Sequence, residues 1–208
     1  MRCRVTDRQA DRLRVPLQHR KRKINLTMIG NWHGLWSAAG GRTDMPAIRP
    51  PNENDILALA QALADAQVEY AVIGGAAMAL HGFARMTKDI DLLLPVSPGN
   101  NVRLLKALES MPATRGAVAD LRPEWMDKGF STALESEIYV DLLYVAASTS
   151  FEELRQHIQT IVYQGVPVVT LDVDGLLITK RTTRESDVPD RIRLERLRNA
   201  QRANAKKD

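Results

Sequence analysis

"RMTKDIDLLL", residues 85–94, sets two aspartates one residue apart at the mouth of an apolar run. A run of this kind reads as a buried strand, where an unpaired carboxylate is costly. Side chains of a strand alternate, so Asp89 and Asp91 project to one face while Ile90 and Leu92 project to the other. Two carboxylates so close raise each other's pKa unless a cation lies between them. Hard oxygen ligands of this sort suit Mg²⁺ or Mn²⁺.

Two flanking segments sharpen this reading. Upstream, "EYAVIGG" is a short strand ending in Gly74 and Gly75, a turn where backbone can approach a phosphate closely. Downstream, "IYVDLLYV" places one aspartate, Asp141, inside an otherwise apolar strand. The cost of burying it predicts that Asp141 points where Asp89 and Asp91 point. Three carboxylates on neighbouring strands beside a glycine turn suit two-metal phosphoryl transfer.

Around this centre the chain reads as alternating elements. "NENDILALAQALADAQ" is an Asn-capped helix with Ile56, Leu57, Leu59, Ala60 and Leu63 on one face. "AAMALHGF" is a short helix closed by Gly82, on which His81 reads as a structural residue. "NNVRLLKALESM" is a helix with Val102, Leu105 and Leu108 on one side. "GFSTAL" and the Asp141 strand form a hairpin through "ESE". "TSFEELRQHI" is a helix with a capping-box start, and "TIVYQGVPVVTL" is two strands turning at Gln164-Gly165. "DVDGLLITKRT" and "VPDRIRLERLRNAQRA" are helices, with Pro189 in the first turn of the second. Trp125, Met126 and Phe130 belong to the core or a lid. The order predicts one α/β or α+β domain, a mixed β-sheet flanked by helices with a C-terminal helical segment.

Charge divides the 208 residues unevenly. Residues 1–50 hold 11 Lys/Arg against 3 Asp/Glu, leaving 18 against 22 for residues 51–208. The first 50 residues, with "HRKRK" and a Gly- and Pro-containing stretch, read as a disordered basic leader before a domain at 51–208. A basic arm for RNA, or a translation start at Met28 or Met45, fits the same residues. The 44% hydrophobic content is that of a globular domain, without a membrane-spanning run. Cys3 is the one cysteine, so an internal disulfide and a thiolate-rich zinc site are both excluded. A secretory signal is not apparent, and a cytoplasmic home fits.

The stretch "GGAAMALHGFARMTKDIDLLL" resembles the nucleotidyltransferase superfamily of polymerase-β-like fold, in particular its minimal bacterial group that includes abortive-infection toxin nucleotidyltransferases. Gly74, Gly75, Gly82, Arg85, Thr87, Asp89, Ile90, Asp91 and Leu92 match that group's pattern, and Asp141 matches its third acidic position. Lys180, Arg184, Asp187 and Asp190 match a later segment. The resemblance implies a transferase in which Asp89, Asp91 and Asp141 are catalytic and hold Mg²⁺ or Mn²⁺. It implies Gly74, Gly75, Arg85, Thr87 and Lys180 as nucleotide-binding residues. A nucleoside triphosphate, an RNA, protein or small-molecule acceptor and a cognate antitoxin are the expected partners, with no membrane. Classical members carry Ser where Gly75 stands. A non-catalytic binding protein and an antibiotic-type small-molecule transferase are the alternatives.

Overall fold

In this computed structural model, residues 48–205 are described. The chain divides into two units, Met1–Asp44 and Met45–Asp208, and the described residues all belong to the second. The expected disorder of the leader concerns residues that lie, apart from 48–50, outside the described ones. All three are exposed, and of them Arg49 is bonded to the domain. The Arg49 N–H donates to the Glu137 carbonyl, and its guanidinium pairs with Asp55.

Helix α1 (Glu53–Asp65) starts at a capping box formed by Asn52 and Asp55 and buries Ile56, Leu59, Ala60 and Leu63. Strand β1 (Ala71–Ile73) runs directly into α2 (Gly74–Leu80). Strand β2 (Asp89–Leu93) is followed by α3 (Pro98–Ser110), capped by Ser97. Two single-turn helices, α4 (Pro112–Arg115) and α5 (Pro123–Met126), lead to β3 (Thr132–Glu135) and β4 (Tyr139–Leu143). A two-strand ribbon follows, β5 (Val145–Ala146) with β6 (Thr149–Ser150). Helix α6 (Phe151–Leu154) then precedes β7 (Ile158–Tyr163) and β8 (Val166–Leu171). The last elements are α7 (Val173–Thr179) and α8 (Asp187–Asn204).

The expected mixed sheet is present, six strands in the order β3-β4-β2-β1-β8-β7. Strands β2 and β4, and β1 and β8, pair in parallel, while β1–β2, β3–β4 and β7–β8 are antiparallel. The hairpin at "ESE" and the turn at Gln164-Gly165 both form, the latter with positive φ at both residues. Central strands read Ile90, Leu92, Val140 and Leu142 into a fully buried layer.

Helix α3 departs from its expected face. Val102 is 68% exposed, while Asn101, Leu104, Ala107 and Leu108 are buried. Apolar counting missed this because Asn101 is satisfied inside: its amide donates to Asp127, and its oxygen accepts from the Tyr144 hydroxyl. The expected helix at "TSFEELRQHI" is only one α-turn with the expected capping box, then a 3-10 turn over Arg155–His157. Trp125 and Phe130 are exposed, and only Met126 of that trio is core. Among the described residues, no helix is long and apolar enough to cross a membrane.

Candidate active site

Parallel pairing of β2 with β4 aligns Asp91 with Asp141 and Asp89 with Tyr139. Residues aligned across adjacent strands share a face, and so do residues two apart along one strand. Asp89, Asp91 and Asp141 therefore occupy one side of the sheet, opposite the buried Ile90, Leu92, Val140 and Leu142. The predicted juxtaposition of the three aspartates is what the register produces.

Asp91 carries the electrostatic signature of this arrangement. Burial first, and then the charges of Asp89 and Asp141, push its carboxyl up to about 6. Lys180 and Arg184 oppose the rise without cancelling it. Gly74, at φ +67°, lies directly under this side chain, and a Cβ there would overlap the Asp91 carboxylate. Glycine is required twice over, by the backbone conformation and by the space.

Gly75 is covered from another direction. A Cβ on it would stand 2.6 Å from Thr87 Oγ1, 3.0 Å from Thr87 Cβ and 3.7 Å from Arg85 Nε. The Thr87 hydroxyl donates to the Asp89 carbonyl at 2.7 Å and lies 3.3 Å from Asp89 Oδ1. The segment 85–87 is thus folded over the first turn of α2, joining the glycine turn to the start of β2.

The two cations expected to meet a nucleotide are held by helix α8. Lys180, with 8% of its side chain exposed, places Nζ 3.0 Å from both Asp187 and Asp190. Arg85 also pairs with Asp190. Thr182 donates to Asp187, and Arg191 donates to the Lys180 carbonyl at 3.0 Å, closing the end of α7. Burial raises the Asp187 pKa, but the bonds from Thr182 and Lys180, with the Lys180 and Arg184 charges, leave it lowered overall. Arg184, matched by pattern only, is exposed and within electrostatic reach of Asp91. Lys180 is consequently a buried, ion-paired residue. His81 bonds the Leu171 carbonyl through Nε2 at 2.9 Å, a structural contact.

Asp187 and Asp190 are the residues that sequence reasoning passed over as site-builders. A signal existed: two carboxylates three apart in the first turn of a helix, beginning at Asp187, face the same way. Their burial could not be read from a helix that is otherwise strongly basic. A cavity of about 210 Å³ lined by Ala117, Asp120, Leu121, Ala133 and Glu135 was also not foreseen. Ala133 is the register partner of Asp141 on the next strand, but none of the three aspartates lines this cavity.

As a donor set, three carboxylates on one face suit a hard divalent cation, and the raised Asp91 carboxyl is the group such a cation would relieve. Among the described residues, however, no group of three or more His, Cys, Asp or Glu side chains is drawn together closely enough to hold an ion as it stands. The chemistry fits, and side-chain rotation about fixed strands would have to complete the geometry.

No protein-family profile and no curated protein matches the chain. Two solved structures are similar to it. One is an antigenic nucleotidyltransferase-like protein from Paracoccidioides brasiliensis, at 20% identity and a TM-score of 0.45, covering 73% of this chain and 79% of that one. The other is a candidate nucleotidyltransferase from Thermotoga maritima, at 15% identity and a TM-score of 0.42, covering 77% of this chain and 94% of that one.

Proposed function

We propose that this chain is a metal-dependent nucleotidyltransferase that moves a nucleoside monophosphate from a nucleoside triphosphate to an acceptor hydroxyl. The observation that carries the reading is the alignment of Asp91 with Asp141, with Asp89 two residues along on the same face. Asp89, Asp91 and Asp141 are the residues that would hold Mg²⁺ or Mn²⁺. When bound, the ions supply positive charge to the triphosphate oxygens. Asp141 accepts the proton of the acceptor hydroxyl, whose oxygen attacks the α-phosphorus as the bond to pyrophosphate breaks. Backbone at Gly74 and Gly75 lies against the phosphates, while Lys180, paired with Asp187 and Asp190, and Arg85, paired with Asp190, would have to exchange those partners to meet the leaving pyrophosphate. The Ser hydroxyl expected from the resemblance has no room at position 75, and Thr87 Oγ1 stands over that position instead.

An RNA end or a protein hydroxyl is the acceptor in the toxin-like reading, which also brings a cognate antitoxin and a cytoplasmic setting. A second reading, a small cationic acceptor, is favoured by the cavity on the neighbouring strand β3, whose lining includes Asp120 and Glu135. The test is incubation of the full-length protein with each triphosphate, labelled at the α- or the γ-phosphate, plus Mg²⁺ or Mn²⁺. Total RNA, cell lysate and small polyamine-like hydroxyl compounds serve as acceptors. Transfer of α-label alone, abolished in Asp91→Ala, is the expected result. Transfer of γ-label, or α-transfer surviving in Asp91→Ala, overturns the reading. Wild type that binds nucleotide and labels nothing supports the non-catalytic alternative.

A further inference from the structure

The most constrained point of the site is neither a carboxylate nor a cation. Thr87 stands where three parts of the site meet. Its hydroxyl bonds the backbone of Asp89, the first residue of β2, and reaches the carboxylate of the same residue. Its Oγ1 and Cβ also fill the space that any side chain at position 75 would need. Gly75 itself is buried, and Arg85 passes over it on the way to Asp190.

The geometry points to Thr87 as a positioning residue for Asp89, locked to Gly75 as its obligatory partner. This rests on the reading of the acidic row given above. A hydroxyl has one proton, and the 2.7 Å bond to the Asp89 carbonyl is the better placed of its two contacts. That bond fixes the backbone from which the Asp89 carboxylate projects. The 3.3 Å contact limits the arc through which the carboxylate turns. Packing against Gly75 sets the separation of the glycine turn from β2, which is the separation of phosphate backbone from carboxylates. Residue choice at 75 and at 87 is therefore one choice, not two. A side chain at 75 is excluded by Thr87, and the hydroxyl of Thr87 has its present place because nothing projects from 75.

Two measurements on the full-length protein test this. The first is a thermal-melting cycle of Gly75→Ala, Thr87→Ala and the double variant. With Thr87 present, Gly75→Ala forces a 2.6 Å contact and lowers the melting temperature by several degrees. In the Thr87→Ala background the 2.6 Å contact is gone and only the 3.0 Å contact to Cβ remains, so the cost of Gly75→Ala should fall by about half or more. Additive effects in the cycle overturn the coupling. The second is Mn²⁺ binding without nucleotide, by calorimetry. Thr87→Val keeps the shape and removes the hydroxyl, and should weaken Mn²⁺ binding by about tenfold or more, the scale of losing an outer-shell partner. Thr87→Ser should restore it, and both variants should melt within a few degrees of wild type. Unchanged Mn²⁺ affinity in Thr87→Val, with wild type binding normally, overturns the positioning role alone. Absence of Mn²⁺ binding by wild type overturns the reading of the acidic row and the positioning role with it, leaving the cycle to decide the coupling.

Discussion

At the junction of α7 and α8, Asp187 and Asp190 are withdrawn from water beside Lys180, which places its ammonium 3.0 Å from each. On β2, Asp91 is drawn in as well, but its register partner across the parallel strand is another carboxylate, Asp141. Asp91 makes no ion pair with a described residue. Charge shows the difference directly. Asp187 keeps a lowered pKa in spite of its burial, whereas the Asp91 carboxyl is pushed up to about 6. The first cluster is neutralised within the chain and behaves as a clamp. The second leaves the charge of Asp91 unbalanced on a sheet face, which is how a binding site differs from a structural salt bridge.

The comparison breaks most visibly at Lys180. Lys180→Met removes the cation shared by two buried carboxylates and leaves only Arg85 on Asp190. Deleting one partner of a buried pair costs roughly 3–5 kcal/mol. Denaturant unfolding of the full-length protein should show a loss in that range, and a loss below about 1 kcal/mol would mean that the clamp is not structural. The sign with pH follows from Asp187. A carboxylate with a lowered folded pKa contributes stability above its unfolded value and loses it as pH falls through the folded one. The Lys180→Met penalty should therefore shrink in acid.

On the sheet face the expected losses are of function. Asp141→Asn keeps the shape of the side chain and removes the charge. Transfer should fall by about a hundredfold or more, the scale of a lost general base. Nucleotide affinity should change only a few-fold, read by calorimetry beside single-turnover transfer. Transfer at the wild-type rate would make Asp141 a satisfied strand residue and end the comparison.

How far each region could be read from sequence follows from the same contrast. The acidic row was legible because strand alternation is a strict period of two. One D-x-D and one aspartate in an apolar strand then fix a common face once the strands pair. The β3–β4 and β7–β8 hairpins and the glycine turn were legible for similar local reasons. The parallel pairing of β2 with β4 joins strands 50 residues apart and has no local signal. The clamp was legible only in part. Lys180, Asp187 and Asp190 lie close in sequence and match one segment of the resemblance. No local pattern shows their mutual burial or brings in Arg85 from 105 residues away. Lys180 lies between an apolar helix and a basic one, and the resemblance pointed it at a nucleotide rather than at Asp187 and Asp190. Asn101 shows the same limit inside α3: a polar side chain becomes core only through partners, Asp127 and Tyr144, that lie 26 and 43 residues away.

Asp91→Asn sharpens the contrast from the side of stability. A carboxyl whose folded pKa is raised favours the folded state when protonated and costs stability when ionised. The rise from 3.8 to about 6 sets a ceiling of about 3 kcal/mol on that cost, and partial exposure brings the expected gain in the variant to about 1–2 kcal/mol. In metal-free buffer at about pH 7.5, above the raised pKa, Asp91→Asn should melt above wild type. As pH falls through about 6 toward 3.8 the wild type is relieved by protonation, and the gap should close. A variant less stable than wild type above the raised pKa would show that Asp91 is already balanced, like Asp187.

The smallest effect is expected at Arg155, which separates burial from ion pairing as the source of the clamp's strength. By contacts alone Arg155 is as well connected as Lys180. It pairs with Glu152 at 2.8 Å and Glu69 at 3.0 Å, and its guanidinium lies 5.1 Å from the Phe151 ring centre. Yet Arg155 and Glu69 are each 51% exposed, so water already solvates both charges and salt screens them. Exposed pairs of this kind contribute about 0.2–1 kcal/mol. Arg155→Ala should therefore change unfolding free energy only within that small range, and raising salt should erase most of the change while leaving the Lys180→Met penalty in place. Equal penalties at Arg155 and Lys180 would show that the number of partners, rather than their withdrawal from water, decides what an ion pair contributes here.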